Sequence, residues 1–143
     1  KDLGLMLAVA ESCTGGLVTK RLTDHPGAST SFVGGVIAYD DSVKISALGV
    51  SQQDLCRFGA VSEVVAIQMA VGVSERLGSD VGLAVTGVAG PGGGTKEKPV
   101  GRVWFAVVLD GEERAYSVDF LGNRDAVRER AAQAALAMLL RTL

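Results

Sequence analysis

One histidine, His25, and two cysteines, Cys13 and Cys56, are all this chain has of the residues that most readily bind transition metals. Their number and spacing exclude a zinc site and a disulfide framework, and two unbridged thiols suit a reducing, cytoplasmic setting. Runs of like charge are also missing. With 14 basic and 16 acidic residues and a formal charge of −2, the chain has no electrostatic footprint for DNA, RNA or an anionic membrane. No apolar stretch reaches the roughly 18 to 20 residues that span a bilayer, and no signal peptide opens the sequence. Repeats and linkers are lacking too. The first residue, Lys1, is not Met, which leaves room for an upstream segment or a whole domain. What remains is 143 residues at 48% hydrophobic content, enough for one domain over residues 1–143 with a core that needs neither disulfide nor metal.

Strand and helix patterns alternate along most of the chain. Leu5 to Ala10 reads as a buried strand and Gly15 to about Thr23 as the helix after it, closed by His25-Pro26-Gly27. Val33 to Tyr39 is a second strand, followed by a short helix from Ser42 to Leu48 stopped at Gly49 and a further helical turn over Gln52 to Phe58. Ser62 caps an amphipathic helix to about Leu77 with Val65, Met69, Val73 and Leu77 on one face. Val81 to Val88, apolar in both parities, is a central strand covered on both faces. The Gly- and Pro-rich segment Gly87 to Gly101 has no regular structure. Val103 to Leu109 and Arg114 to Leu121 form a hairpin, and Asn123 caps a last helix whose buried stripe is Val127, Ala131, Ala134, Ala135, Met138 and Leu139. This order predicts a three-layer α/β/α sandwich around a mixed, mostly parallel sheet.

In such a sheet the ligand crevice lies beyond the carboxyl ends of the strands, where "ESCTGG", "YDDSVK" and "TGVAGPGGG" converge. Ser12, at a strand-to-helix turn, is a candidate nucleophile, with the backbone N–H groups of Thr14, Gly15 and Gly16, and the Thr86-Gly87 turn, as candidate oxyanion donors. The alternative for Ser12 is a simple helix cap. His25 sits in a Pro-Gly turn with no route to Ser12, so the base must be another group. Lys44 qualifies where burial or a neighbouring cation disfavours a charged amine, and Tyr39 is placed to relay a proton between the two. Their alternatives are a solvated lysine and a half-buried strand aromatic. Cys13 competes as nucleophile at a helix start but has no partner base, which favours a small buried hydrophobe.

The Gly90 to Gly94 stretch lacks the Gly-Lys-Ser/Thr ending of a phosphate loop, and no G-x-G-x-x-G follows the first strand, so a flap or a close-approach surface is expected there. No acidic cluster offers a Mg²⁺ site for phosphatase chemistry. Arg124, in the first turn of the last helix, can hold a phosphate together with helix amides, and Arg128 one turn later can assist; the alternative is surface pairing with Asp125 or Glu129.

Seven ordered blocks, "AESCTGG", "GGVIAYDDSVK", "LGV", "GAVSEVVA", "AVTGVAGPGGG", "KPVGRVWFAV" and "GNRDAVR", together resemble the CinA C-terminal domain family over nearly the whole chain. The resemblance implies a five-stranded mixed sheet and hydrolysis of nicotinamide mononucleotide to nicotinate mononucleotide and ammonia. It also implies a serine-lysine mechanism without metal or organic cofactor, a small-molecule nucleotide as the partner, and a homodimer. By position the family's nucleophile falls on Ser12, its tyrosine on Tyr39 and its lysine on Lys44. Asp41 departs from the Asn common in the family, and a carboxylate facing Lys44 would favour the charged amine and make a poorer base. Gly92 stands where other members often have a larger or polar residue. The rival reading is a non-catalytic nucleotide-binding or scaffolding domain of a longer competence-type protein.

Overall fold

Bulky and small side chains alternate with the strand period of two along β1 (Leu7–Glu11) and β3 (Val81–Gly87), while β4 (Arg102–Leu109) turns Val103, Phe105 and Val107 to one face and Trp104, Ala106 and Val108 to the other. In a computed structural model of the chain, which describes residues 3–143, this alternation separates two cores. Lys1, noted above for its identity, lies with Asp2 outside the described residues. Val9, Leu83, Val85, Phe105 and Val107 project to one face and pack against Val18 of α1 (Leu17–Thr23) and Val127, Ala131 and Ala135 of α5 (Arg124–Thr142). Ala8, Ala10, Ala84 and Ala106 project to the other face. There they meet Leu48 of α2 (Asp41–Leu48), Leu55 of α3 (Gln52–Phe58) and Val65, Met69 and Val73 of α4 (Glu63–Leu77).

Small residues on the second face let the backbones approach closely. A Cβ on Gly82 would sit 2.1 Å from the Ala70 carbonyl oxygen of α4, and one on Gly72 of α4 would sit 1.9 Å from that of Leu48. Nothing larger than hydrogen fits at either position.

With β2 (Phe32–Ile37) and β5 (Glu112–Asp119) the sheet has five strands in the order β2-β1-β3-β4-β5. β1 pairs in parallel with both β2 and β3, while β3–β4 and β4–β5 are antiparallel, so β4 alone opposes the common direction. The expected α/β/α sandwich is the fold. At the hairpin tip Asp110 and Gly111 both take positive φ, 52° and 80°, the geometry of a two-residue turn that matches strand twist.

Element ends differ from the sequence reading by about two residues. β1 begins at Leu7 because Met6 is engaged by Asp80, accepting from its N–H and donating to its carboxylate. α1 begins at Leu17, since Gly15 and Gly16 have φ of 58° and 100° and lie outside the helix. β2 closes at Ile37 because Asp40 turns to cap α2, accepting from the Ser42 N–H. A helical turn over Ala28–Thr30 carries no sequence pattern that announced it.

From β1 the chain crosses to β2 on one side, then returns through α2, α3 and α4 to β3 on the other. The direction of crossing reverses at β1. A crevice therefore opens beyond its carboxyl end, between the segments that follow β2 and β3.

Candidate active site

That crevice is a cavity of about 290 Å³. Ser12 and Cys13 wall it after β1, Tyr39, Asp41 and Lys44 after β2, Thr86 to Gly90 at the end of β3 and just beyond it, and Arg124 from the start of α5. Of the residues singled out in the sequence, Ser12, Tyr39, Lys44, Thr86, Gly87 and Arg124 thus meet at one place. Thr14, Gly15 and Gly16 do not line it.

Ser12 is 8% exposed, and its N–H is fixed to the Val85 carbonyl at 2.9 Å. Its hydroxyl makes no hydrogen bond among the described residues. It is not a helix cap either: α1 starts from Gly16 without a side-chain cap. Lys44 is 1% exposed, against the solvated alternative. Its Nζ donates to the Tyr39 carbonyl oxygen at 3.0 Å and to Asp41 Oδ1 at 3.2 Å. Asp41 thus faces Lys44 from the solvent side.

Tyr39 is 59% exposed, beyond the end of its strand. Its hydroxyl accepts from Arg124 Nη2 at 2.9 Å, while Arg124 Nη1 donates to the Gly90 carbonyl at 2.7 Å. The tyrosine reaches Lys44 through its main-chain carbonyl, so the expected proton relay through its hydroxyl has no hydrogen-bonded path. Arg124 instead bridges the segments after β2 and β3 at the cavity mouth.

The expected oxyanion donors need correction. Gly15 N–H donates to the Ser12 carbonyl at 3.1 Å and Gly16 N–H to Glu11 Oε2 at 3.0 Å. Thr14 is wholly buried, and its hydroxyl has no partner. Several amides of lining residues have no acceptor among the described residues, among them those of Cys13, beside Ser12, and Ala89, after β3. The Cys13 and Ala89 amides are free to bind a developing oxyanion. Thr86 Oγ1 is spent on the Ala60 carbonyl at 3.0 Å, which fixes the far wall.

Glu11 was not singled out in the sequence. Fully buried, it accepts from the amides of Gly16, Val18 and Thr19 at 3.0, 3.1 and 2.8 Å. The chain's own carboxylate thereby occupies the start of α1 and takes the amides that an anionic ligand would need there. The signal was a lone carboxylate ending an apolar strand, a group that cannot be buried without donors. Cys13 is buried as well, and burial pushes its thiol up to about 12, opposed by the nearby Arg128 and Arg124. That makes it a poor competitor for Ser12.

The Gly-rich segment is folded onto its surroundings, which favours the close-approach surface over the flap. Val88 N–H and Gly101 N–H exchange bonds with the Arg102 and Val88 carbonyls, and Lys98 Nζ donates to the Phe58 carbonyl. A Cβ on Gly94 would meet Val100 N at 2.7 Å, whereas one on Gly92 would meet nothing within 4 Å.

The chain matches the model of the CinA C-terminal domain across residues 1–143. It is 54% identical over 137 residues to a CinA-like protein of Gemmatimonas aurantiaca, covering 96% of this chain and 32% of that one. It spans about a third of the length of the curated relatives it matches. A crystal structure of a CinA superfamily protein from Escherichia coli superposes with a TM-score of 0.96 at 40% identity, over 99% of this chain and 83% of that one. The competence/damage inducible protein of Agrobacterium tumefaciens does so with 0.95 at 41%, over 98% and 86%.

Proposed function

The chain belongs to the CinA C-terminal domain family, and from that premise we propose that it hydrolyses the carboxamide of nicotinamide mononucleotide to nicotinate mononucleotide and ammonia, in the cytoplasm and as a homodimer. The observation that carries this reading is that a buried serine with an unengaged hydroxyl and a buried lysine line one cavity. Serine-lysine pairing supplies a nucleophile and a base where no histidine is at hand.

In this reaction Ser12 Oγ attacks the carboxamide carbon as its proton passes to the Lys44 amine. Negative charge on the carbonyl oxygen is taken by the Cys13 and Ala89 N–H groups. The protonated amine returns its proton to the nitrogen, and ammonia leaves an acyl-serine. Water then attacks the ester, gives its proton to Lys44, and releases the acid and Ser12. Arg124 at the mouth exchanges its contact with the Tyr39 hydroxyl for the 5′-phosphate, a stronger charge-assisted partner. Tyr39 on this reading serves the phosphate end of the site.

The Asp41–Lys44 contact favours a second reading, a non-catalytic nucleotide-binding domain of a longer protein, because it gives the lysine a structural partner. Ammonia release separates the two. The purified chain is expected to liberate ammonia from the mononucleotide, and Ser12→Ala to abolish it with an unchanged circular dichroism spectrum and melting temperature. A folded Ser12→Ala variant that keeps its turnover would remove the serine from the mechanism.

A further inference from the structure

Arg128 lies one helical turn beyond Arg124 on the same face of α5. It pairs with neither Asp125 nor Glu129; the latter is paired with Arg21. It does not line the cavity either, so it is no direct ligand there. Its Nε donates to the Cys13 carbonyl and its Nη2 to the Thr14 carbonyl, both at 3.1 Å. One planar fork thus holds two successive carbonyls, a geometry that a lysine ammonium cannot reproduce.

Peptide by peptide, the turn from Ser12 to Gly16 is held from two sides. The Ser12 carbonyl accepts from Gly15 N–H at 3.1 Å, and the Thr14 carbonyl also accepts from Leu17 N–H at 3.2 Å. Gly16 N–H is held by Glu11. Carbonyls are therefore gripped by Arg128 and an amide by Glu11. The close fit shows at Gly15, where a Cβ would come within 3.3 Å of Arg128 Nη2. Within this turn, Cys13 carries the N–H that has no acceptor and belongs to a residue facing the cavity.

We propose that Arg128 is a positioning residue: by fixing the carbonyls of Cys13 and Thr14 it holds the turn so that Ser12 Oγ and the Cys13 N–H address the same carboxamide. This rests on the reading of Ser12 as the nucleophile. The guanidinium also lends its charge to the turn, as its pull on the Cys13 thiol shows. The same field favours an oxyanion formed there.

The test compares two substrates, the mononucleotide and its phosphate-free riboside. Arg128→Ala is expected to lower kcat about a hundredfold on both alike, the scale of a small misplacement of reacting groups, with KM within about threefold of wild type. Millimolar guanidinium, far below denaturing concentration, restores much of the lost kcat by refilling the vacated space. Arg128→Lys, which keeps the charge and loses the fork, falls between. A loss confined to the phosphate-bearing substrate would make Arg128 a phosphate ligand and overturn the proposal. So would a lowered melting temperature without a kcat effect or guanidinium rescue. If the wild-type chain releases ammonia from neither substrate, the hydrolase reading fails by itself. Amide hydrogen exchange over residues 12–17 then decides the positioning role: faster in Arg128→Ala and slowed by guanidinium supports it, unchanged exchange refutes it.

Discussion

At the scale of the residue, the site turns on a lysine with two obligations. Lys44 is pinned by the Tyr39 carbonyl and by Asp41, yet in the proposed mechanism it must take a proton from Ser12 and hand it on. Lys44→Ala is therefore expected to lose essentially all ammonia release, and Lys44→Arg to fail equally because a guanidinium does not give up its proton. Asp41→Asn keeps a hydrogen-bond acceptor and drops the charge, so its kcat should equal or exceed that of wild type. A marked fall would show that the carboxylate itself takes part. The neighbouring thiol gives an independent check. With its titration pushed up to about 12 by burial, Cys13 stays protonated and unreactive toward iodoacetamide at pH 8 in the folded chain, while exposed Cys56 is alkylated. Mass spectrometry should find one modified cysteine before unfolding and two after. Ser12, Lys44 and Arg124 were legible in the sequence because each is an anomalous residue at the end of a strand or the start of a helix. Glu11 was not, and Arg128 was read only as an aid to a phosphate, because the contacts of both are made with main-chain atoms that no spacing rule displays.

At the scale of the element, the alternation of bulky and small residues decides how near each helix lies to the sheet. α4 rests on Gly82, Ala84 and Ala106, and the 2.1 Å separation between a Cβ at Gly82 and the Ala70 oxygen leaves no slack. Gly82→Ala is expected to destabilise the chain by about 1 to 3 kcal/mol through overpacking, read as a fall in the denaturation midpoint. The same substitution at Gly92, which meets nothing within 4 Å, should leave the midpoint within about 0.5 kcal/mol. Element identity was legible from periodicity, caps and breakers: Ser62 and Asn123 cap their helices as read. Boundaries slipped where a side chain commandeered the backbone, as Asp40 does at α2 and Asp80 beside β1. Those contacts join residues distant in sequence or replace one local bond with another, and hydrophobic pattern carries neither.

At the scale of the whole molecule, two cores share one sheet, and each strand of its centre contributes to both. Loss of either core should then be felt by the other. Phe105→Ala on the α5 side and Met69→Ala on the α4 side are each expected to cost about 2 to 5 kcal/mol while the chain still melts in a single calorimetric transition. Two separable transitions in either variant would mean that the layers fold apart. One further consequence follows from α5, where Arg124 and Arg128 are spaced by a single turn and reach the mouth of the cavity and the turn after Ser12 respectively. Because a helix advances about 100° per residue, inserting or deleting one residue between them would swing one arginine off its target. The pair can therefore be inherited only together and in register. Length variation among descendants of such a chain should collect in the exposed segment over residues 92–97, and never within the first turn and a half of α5.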